Sequence, residues 1–252
     1  MWSRIWLVRC LAELGAFPDA LIHSQEAVQI AEAGDNLVSG VYAQYELGSL
    51  ATEQGDLSRA IPLLEHALAS CRTADLRVWL PGITSCLGLA YAQCGCITDA
   101  LPLLDEAAEL LRSSRRADTL MMTIRLIEAY LLGGRLEDAS QLAERDVRVA
   151  RERQEQGWQT HVLRLLGDIA MHRNPPEIGQ AEIHYRQALD LASELGMRPL
   201  QAHCHRGLGT IYSETGRPEQ ALDELSKAID MYREMEMTFW LPQAEVALTQ
   251  VV

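Results

Sequence analysis

The 252-residue chain carries 35 acidic against 22 basic residues, a formal net charge of −13, and 48% of its residues are apolar. This balance excludes a strongly basic surface, which nucleic acid or an anionic membrane would require. One basic cluster, "RSSRR" at 112–116, is expected to be a solvated loop. Six cysteines without a recognisable signal peptide indicate a reducing, cytoplasmic environment.

The tripeptide Trp-Leu-Pro occurs twice, beginning at Trp79 and at Trp240. The two copies lie about four periods of 40 residues apart, so they indicate an internal repeat rather than a duplicated catalytic loop. Taken in chain order, the repeat units are predicted at 1–39, 40–78, 79–118, 119–157, 158–199 and 200–239, with a final segment at 240–252.

Each unit is predicted to contain two amphipathic helices, helix A and helix B, joined by a tight turn. In four units helix A carries a Leu-Gly pair, with Val8 and Ile127 in place of that glycine in the first and fourth units. The turn typically carries a glycine, and helix B carries two spaced alanines that permit close packing between helices. The clearest members are Leu47, Gly48, Gly55, Ala60 and Ala67, then Leu87, Gly88, Gly95, Ala100 and Ala107, and finally Leu208, Gly209, Gly216, Ala221 and Ala228.

The fourth unit (119–157) departs from this pattern at Asp146, which stands where the second alanine of helix B is expected. A buried carboxylate would need a partner. We therefore expect this helix B either to be rotated or to expose Asp146.

The Leu-Gly pair, a tyrosine three residues after its glycine, the turn glycine and the spaced alanines resemble the tetratricopeptide repeat (TPR). The resemblance implies an all-α fold, a right-handed α-solenoid of six TPR-like helix hairpins with a capping helix at 240–252, in a single domain over 1–252. Segments such as "TEQGDLSRAIPLLEHAL" further resemble the C-terminal TPR region of bacterial signalling proteins that join a nucleotide cyclase or transcription-regulator module to a regulatory ATPase. The motifs of those catalytic modules do not occur in this sequence.

The first helix begins with apolar residues, among them Trp2, Ile5 and Trp6, and no predicted helix precedes it. Terminal repeats need a cover because each unit buries its apolar face on its neighbour. We therefore expect that the chain is the C-terminal piece of a longer protein, or that another surface covers this start.

In TPR arrays the A helices line a concave groove, so the resemblance also predicts a binding surface. Positions counted from the Leu-Gly glycine give Tyr42, Tyr45, His161, Arg164, Asp168, His172, His203 and Arg206 as its lining. The C-terminal part would suit an acidic peptide or another anion, because arginine presents a planar fork of donors. The alternative is a solvated polar face with internal Arg–Asp pairs.

Three tryptophans, Trp79, Trp158 and Trp240, each lie three residues before the start of this lining stripe. Aromatic side chains at a groove edge can anchor a partner. Alternatively, they pack against the preceding helix B and hold neighbouring units in register.

No motif in the sequence indicates catalysis. A phosphate-binding loop and a zinc-protease motif are both missing. The stretch "AQCGCITD" places Cys94 and Cys96 near Cys86, but this spacing matches a zinc site poorly. We therefore predict a protein-interaction scaffold without enzymatic activity, metal or cofactor, whose partner is a protein or peptide, including its own upstream domain. The alternative is a small-molecule sensor whose solenoid changes curvature when a ligand binds.

Overall fold

The computed structural model describes residues 2–34, 36–113 and 120–251. Within these ranges the regular structure consists of thirteen α-helices and no strand. The predicted all-α class is therefore confirmed. The boundary predicted between 118 and 119, and residues 114–116 of the basic cluster, lie outside the described residues.

Contacts divide the chain into two compact units. Unit 1 takes the described residues of Met1–Ala12 and Ala16–Arg135, and unit 2 takes those of Glu13–Gly15 and Leu136–Val252. The division falls between the two helices of the fourth predicted repeat. The single domain over 1–252 stays a prediction.

Unit 1 is a succession of seven described α-helices. They are α1 (Trp2–Glu13, whose last residue is assigned to unit 2), α2 (Phe17–Ala33), α3 (Leu37–Gln54), α4 (Leu57–Thr73), α5 (Leu80–Gln93), α6 (Ile97–Ser113) and α7 (Leu120–Leu132). Odd-numbered helices correspond to the predicted A helices and even-numbered ones to the B helices. Helix α5 packs against α3 and α4 on one side and against α6 and α7 on the other.

Unit 2 continues the same alternation. Its helices are α8 (Leu136–Glu152), α9 (Gln156–His172), α10 (Ile178–Leu195), α11 (Arg198–Glu214), α12 (Pro218–Glu234) and α13 (Leu241–Thr249). Helices α9 and α10 form one hairpin, α11 and α12 form the next, and α13 packs against α12 at the position predicted for the capping helix.

The turn glycines recur at the same spacing in successive repeats because the backbone there adopts a conformation that favours glycine. Gly55, which ends α3, has φ of +85°, and Gly95, between α5 and α6, has φ of +80°. Residues with a Cβ rarely adopt this left-handed conformation, so glycine ends helix A at little conformational cost. The amide of Gly55 donates to the carbonyl of Thr52 at 3.2 Å, which satisfies a terminal carbonyl of the helix.

The Leu-Gly glycine permits close contact between helices A and B. A Cβ added at Gly88 would lie 2.6 Å from Leu104 of α6, and a Cβ at Gly209 would lie 2.6 Å from Leu225 of α12. The helix-B alanines are buried beside these contacts, as Ala100 and Ala107 show with 1% and 0% exposure. The signature thus marks the line along which the two helices of a repeat touch.

Asp146 is buried in α8, with only 1% of its surface exposed. Exposure of this residue, one of the two sequence-based expectations, is therefore wrong. The Nε atom of Arg145 donates to its carboxylate at 2.8 Å. This neighbouring charge supplies the partner that a buried carboxylate needs.

Candidate functional site

The sequence-predicted residues lie on or just before A helices and separate into two groups. In unit 1, Tyr42 and Tyr45 lie on α3 and Trp79 directly precedes α5. In unit 2, Trp158, His161, Arg164, Asp168 and His172 lie on α9, His203 and Arg206 lie on α11, and Trp240 directly precedes α13. We name these two groups, with their immediate contacts, the helix-A face of unit 1 and the helix-A face of unit 2.

The aromatic residues of the unit 1 face pack on one another. Tyr42 is 5% exposed and Tyr45 is 2% exposed. The ring of Trp79 lies 4.3 Å from that of Tyr42, measured between centroids. Contacts of this kind belong to a packed core, so Trp79 joins α5 to the preceding helix A in addition to the apolar cluster around it.

A buried arginine that sequence reasoning missed closes this face. Arg125 of α7 is 6% exposed. Its Nη1 donates to the hydroxyl of Tyr45 at 2.6 Å, and its Nη2 donates to Ser49 and, at 3.4 Å, to Glu53. Burial raises the pKa of Tyr45 to about 12, so its hydroxyl stays neutral and accepts this hydrogen bond. Arg125 therefore links α7 to α3 within unit 1.

Helix α5 lies between α3 and α7, and its small side chains make this link possible. A Cβ at Gly82 would lie only 2.9 Å from the Tyr45 hydroxyl. The neighbouring Ser85 is fully buried and bonds to the Gly82 carbonyl at 3.0 Å. A sequence signal for Arg125 existed, because it is the one basic residue in the apolar stretch "LMMTIRLIEAYLL", and a basic side chain in such a stretch predicts a buried, partnered group.

A second polar pair occupies the other edge of the unit 1 face. Glu46, which is 3% exposed, accepts a hydrogen bond from the Nε of Arg9 at 2.9 Å. The Nη2 of Arg9 also lies 3.3 Å from the hydroxyl of Tyr42. The polar groups of this face are therefore bound to residues of the same unit.

The unit 2 face has a different polar centre. The Nη1 of Arg164 donates to Asp168 at 2.8 Å, and the hydroxyl of Tyr185 donates to the other carboxylate oxygen at 2.5 Å. Tyr185 comes from helix B (α10) and stands where the second, third and sixth repeats have a leucine. Its ring fits because Gly167 and Gly207 lack side chains, and a Cβ at either would lie within 2.6 Å of it.

The second centre of this face surrounds His203, whose Nδ1 lies 2.7 Å from the hydroxyl of Tyr232. Its ring lies 4.7 Å from that of Trp240, which is 6% exposed. The guanidinium of Arg206 lies over the same Trp240 ring, 5.5 Å from its centroid, and donates to Gln243 at 2.9 Å. Trp240 is thus packed against the preceding helix A, as Trp79 is.

Three basic side chains act on the titration of His203. Burial holds its pKa well below the ordinary value, and the charges of Arg164, Arg206 and His161 lower it further. His203 is therefore neutral at physiological pH. The face combines arginine and histidine side chains from α9 and α11, with Asp168 2.8 Å from Arg164 and Glu13 3.0 Å from His161.

The outer part of the unit 2 face is more accessible. His161 retains 18% of its side-chain exposure, and its ring lies 5.9 Å from that of the half-buried Trp158. His172 is exposed, and its Nδ1 lies 2.8 Å from the backbone carbonyl of Asp168. The structure brings Arg164, Asp168, His203 and Arg206 together with two tyrosines from B helices, and it places His172 at the margin.

No group of three or more His, Cys, Asp or Glu side chains among the described residues could hold a metal ion. None of the described helices is long and apolar enough to cross a membrane.

Known proteins resemble this chain in sequence and in structure. Residues 177–234 match the family model of the tetratricopeptide repeat. The 43 kDa receptor-associated protein of the synapse from Tetronarce californica is 26% identical over 177 residues, which cover 69% of this chain and 42% of that protein. The chain therefore spans less than half the length of this curated relative.

A crystal structure, that of BtubC (BKLC) from P. vanneervenii, superposes with a TM-score of 0.58 and 18% identity. The match covers 87% of this chain and 92% of that one. At this identity the likeness shows the fold, and it agrees with the helical-repeat architecture described above.

Proposed function

Because the chain carries an array of tetratricopeptide repeats, we propose that it is a non-catalytic protein-interaction scaffold that binds an acidic peptide on the helix-A face of unit 2. Tetratricopeptide repeats indicate protein binding as the kind of function. The site and the charge of the partner are the parts that this proposal adds.

The cluster of basic side chains around His203 is the observation that carries the proposal. Arg164, Arg206 and His161 all act on this histidine, in a chain whose net charge is −13. Arg164 is paired with Asp168 and His161 with Glu13, whereas Arg206 donates to the neutral Gln243, so the charge of Arg206 favours a carboxylate-bearing ligand. The Nε of Arg206 and the Nε1 of Trp240 are buried donors without a hydrogen-bond partner in the described part of the chain, so a small rotation of either side chain would offer a donor to an acceptor.

The contrast with unit 1 supports the choice of unit 2. In unit 1 the guanidinium of Arg125 already binds Tyr45, Ser49 and Glu53, and Glu46 binds Arg9. A partner would have to displace these buried hydrogen bonds, which would leave polar groups without partners.

Fluorescence anisotropy with labelled peptides tests the proposal. A glutamate-rich peptide should bind the full chain more tightly than a lysine-rich peptide of the same length, and salt should weaken its binding. The substitution Arg206→Gln keeps a polar contact to Gln243 but removes the charge. It should weaken binding of the acidic peptide roughly tenfold, the size expected for one charge-assisted hydrogen bond.

Arg186→Gln is the matched control, since Arg186 is an exposed arginine on helix B (α10) whose Nη2 lies 2.7 Å from Glu182. It makes the same change of charge outside the face. Equal binding of the two peptides, or equal losses in the two variants, would contradict the proposal.

The wider setting is also part of the proposal. The resemblance to regulatory TPR regions supports a cytoplasmic, bacterial signalling protein in which this array binds its own upstream domain. An immunoblot of source cells with an antibody against this segment measures the size of the native polypeptide. A band far above 28.1 kDa supports an upstream domain as the partner, whereas a band near this mass points to a separate partner.

A further inference from the structure

Two accessible thiols lie side by side at the turn between α5 and α6. The Sγ atoms of Cys94 and Cys96 are 3.5 Å apart. Cys94 is exposed and Cys96 is partly exposed. Cys71, Cys86 and Cys204 are buried, and Cys10 is exposed on α1. We name the pair Cys94–Cys96 the turn dithiol.

The backbone holds this pair in place. The amide of Cys94 donates to Ala90 at 3.0 Å, and the amide of Cys96 donates to Tyr91 at 2.9 Å, so both residues are fixed to the end of α5. The carbonyl of Cys96 accepts from Ala100 at 3.0 Å, which fixes it to the start of α6 as well. Gly95 between them has φ of +80°, a conformation that turns the chain sharply.

We propose that the turn dithiol is a modification site that forms a reversible disulfide by exchange with a low-molecular-weight disulfide such as glutathione disulfide. This inference is independent of the peptide-binding proposal. It rests on the distance between two accessible sulfurs, because reactive cysteines are accessible and have a resolving thiol nearby.

The exchange takes two balanced steps. The more exposed Cys94 loses its proton, and its thiolate attacks one sulfur of glutathione disulfide, which forms a mixed disulfide and releases one glutathione thiolate. Cys96 then loses its proton and attacks the Cys94 sulfur, which forms the Cys94–Cys96 bond and releases the second glutathione thiolate. The two released thiolates take up the two protons, so two protein thiols are oxidised and one glutathione disulfide is reduced.

Cys96 is placed to act as the resolving thiol. It donates a hydrogen bond to the Cys94 sulfur, and this contact raises the pKa of Cys96. It therefore stays protonated while Cys94 reacts, and the second step is intramolecular. A neighbouring thiol at this distance outcompetes a second glutathione because its effective concentration is high.

The turn dithiol lies at the rim of a groove, so its oxidation would affect residues that line this groove. Tyr91, Thr98 and Asp99, within five residues of the dithiol, line an open groove of about 530 Å³ between α4, α5 and α6. The hydroxyl of Tyr91 donates to Glu65 at 2.5 Å across this groove. A disulfide would draw the ends of α5 and α6 together at the rim of that groove.

Mass spectrometry of the full chain treated with glutathione disulfide tests the proposal. In a Cys10→Ser background the chain should lose two hydrogens and gain no glutathione, and fragmentation should locate the bond between Cys94 and Cys96. The further variants Cys94→Ser and Cys96→Ser should each retain a bound glutathione instead. A parent chain that retains glutathione on either cysteine without the internal bond would overturn the proposal.

Phenylarsine oxide provides a second readout that does not depend on redox reactions, since one arsenic atom must bind both sulfurs. The parent chain should bind it, and 2,3-dimercaptopropanol should reverse this, whereas both single-serine variants should bind at least tenfold more weakly, a difference of about 1.4 kcal/mol. Equal binding by the parent and the variants would show that the sulfurs do not act together.

Discussion

The two helix-A faces use the same repeat positions for different chemistry. Tyr42 and Tyr45 in unit 1 occupy the positions that His203 and Arg206 occupy in unit 2, six and three residues before the Leu-Gly glycine. In unit 1 the hydroxyl of Tyr45 binds Arg125, which comes from another helix A, and the hydroxyl of Tyr42 lies beside Arg9. In unit 2 the cations themselves are at the repeat positions, and tyrosines from B helices supply the hydroxyl groups.

This difference shows that the position in the repeat determines where a side chain lies, whereas the residues around that side chain determine which groups it can bind. Tyr45 meets a guanidinium because Gly82 leaves space beside its hydroxyl. Asp168 meets a phenol because Gly167 and Gly207 leave space for the ring of Tyr185. Missing Cβ atoms, one in unit 1 and two in unit 2, therefore select the partner in each face.

The largest effect should come from removing the arginine that seals unit 1. Arg125→Leu leaves the hydroxyls of Tyr45 and Ser49 buried without their donor, so the free energy of unfolding should fall by about 3 kcal/mol. Urea denaturation followed by circular dichroism measures this change.

The control for that change is Arg72→Leu, at an arginine of α4 with half of its side chain exposed and an ion pair to Glu106 at 2.6 Å. An exposed pair of this kind contributes less than about 1 kcal/mol. If both variants lost the same small amount of unfolding free energy, the buried hydrogen bonds of Arg125 would not stabilise the unit 1 face.

A smaller effect should follow from removing the hydroxyl of Tyr185 in unit 2. Tyr185→Phe keeps the ring between the two glycines but takes one hydrogen bond from Asp168, which still binds Arg164. We expect a loss of about 1 to 2 kcal/mol in the free energy of unfolding, the range for a hydrogen bond to a charged group.

Tyr212→Phe is the matched control, because the hydroxyl of Tyr212 accepts from Arg186, which is largely exposed. Tyr212 also bonds to Glu182, but Arg186 is largely exposed and remains solvated, so the loss should be smaller than that of Tyr185→Phe. A larger loss in the control than in Tyr185→Phe would contradict the buried network.

The smallest expected effect is on the pH dependence of stability, and it comes from His203 in the unit 2 face. The pKa of His203 is depressed in the folded state by burial and by the charges of Arg164, Arg206 and His161, and Tyr232 also faces the ring. Below the ordinary histidine pKa of 6.5 the unfolded chain binds a proton that the folded chain does not, so stability falls as pH falls through this range.

His203→Gln should therefore reduce the drop in melting temperature between neutral pH and a pH one unit below 6.5. The exposed His172, substituted in the same way, should leave this drop unchanged. An equal fall in melting temperature in the wild-type chain and in His203→Gln would show that the pKa of His203 is not depressed in the folded state.

Part of the site could be predicted from the sequence, since the repeat register places Arg164, Asp168, His203 and Arg206 on A helices, where they lie together. Arg125 could not be placed, because it lies off the predicted stripe and its partners are more than 70 residues away in the chain. The turn dithiol was visible as a motif, but only the fold showed that both sulfurs are accessible.

The sequence by itself determined the repeat, the alternation of helices and the turns. These features are local, because they depend on the 3.6-residue period of a helix, on glycine at positive φ and on alanine where helices touch. Tertiary structure decided which polar groups are satisfied, since buried hydrogen bonds join residues on different helices. It therefore decided that the polar groups of the unit 1 face bind one another, whereas in unit 2 basic side chains from two helices surround His203.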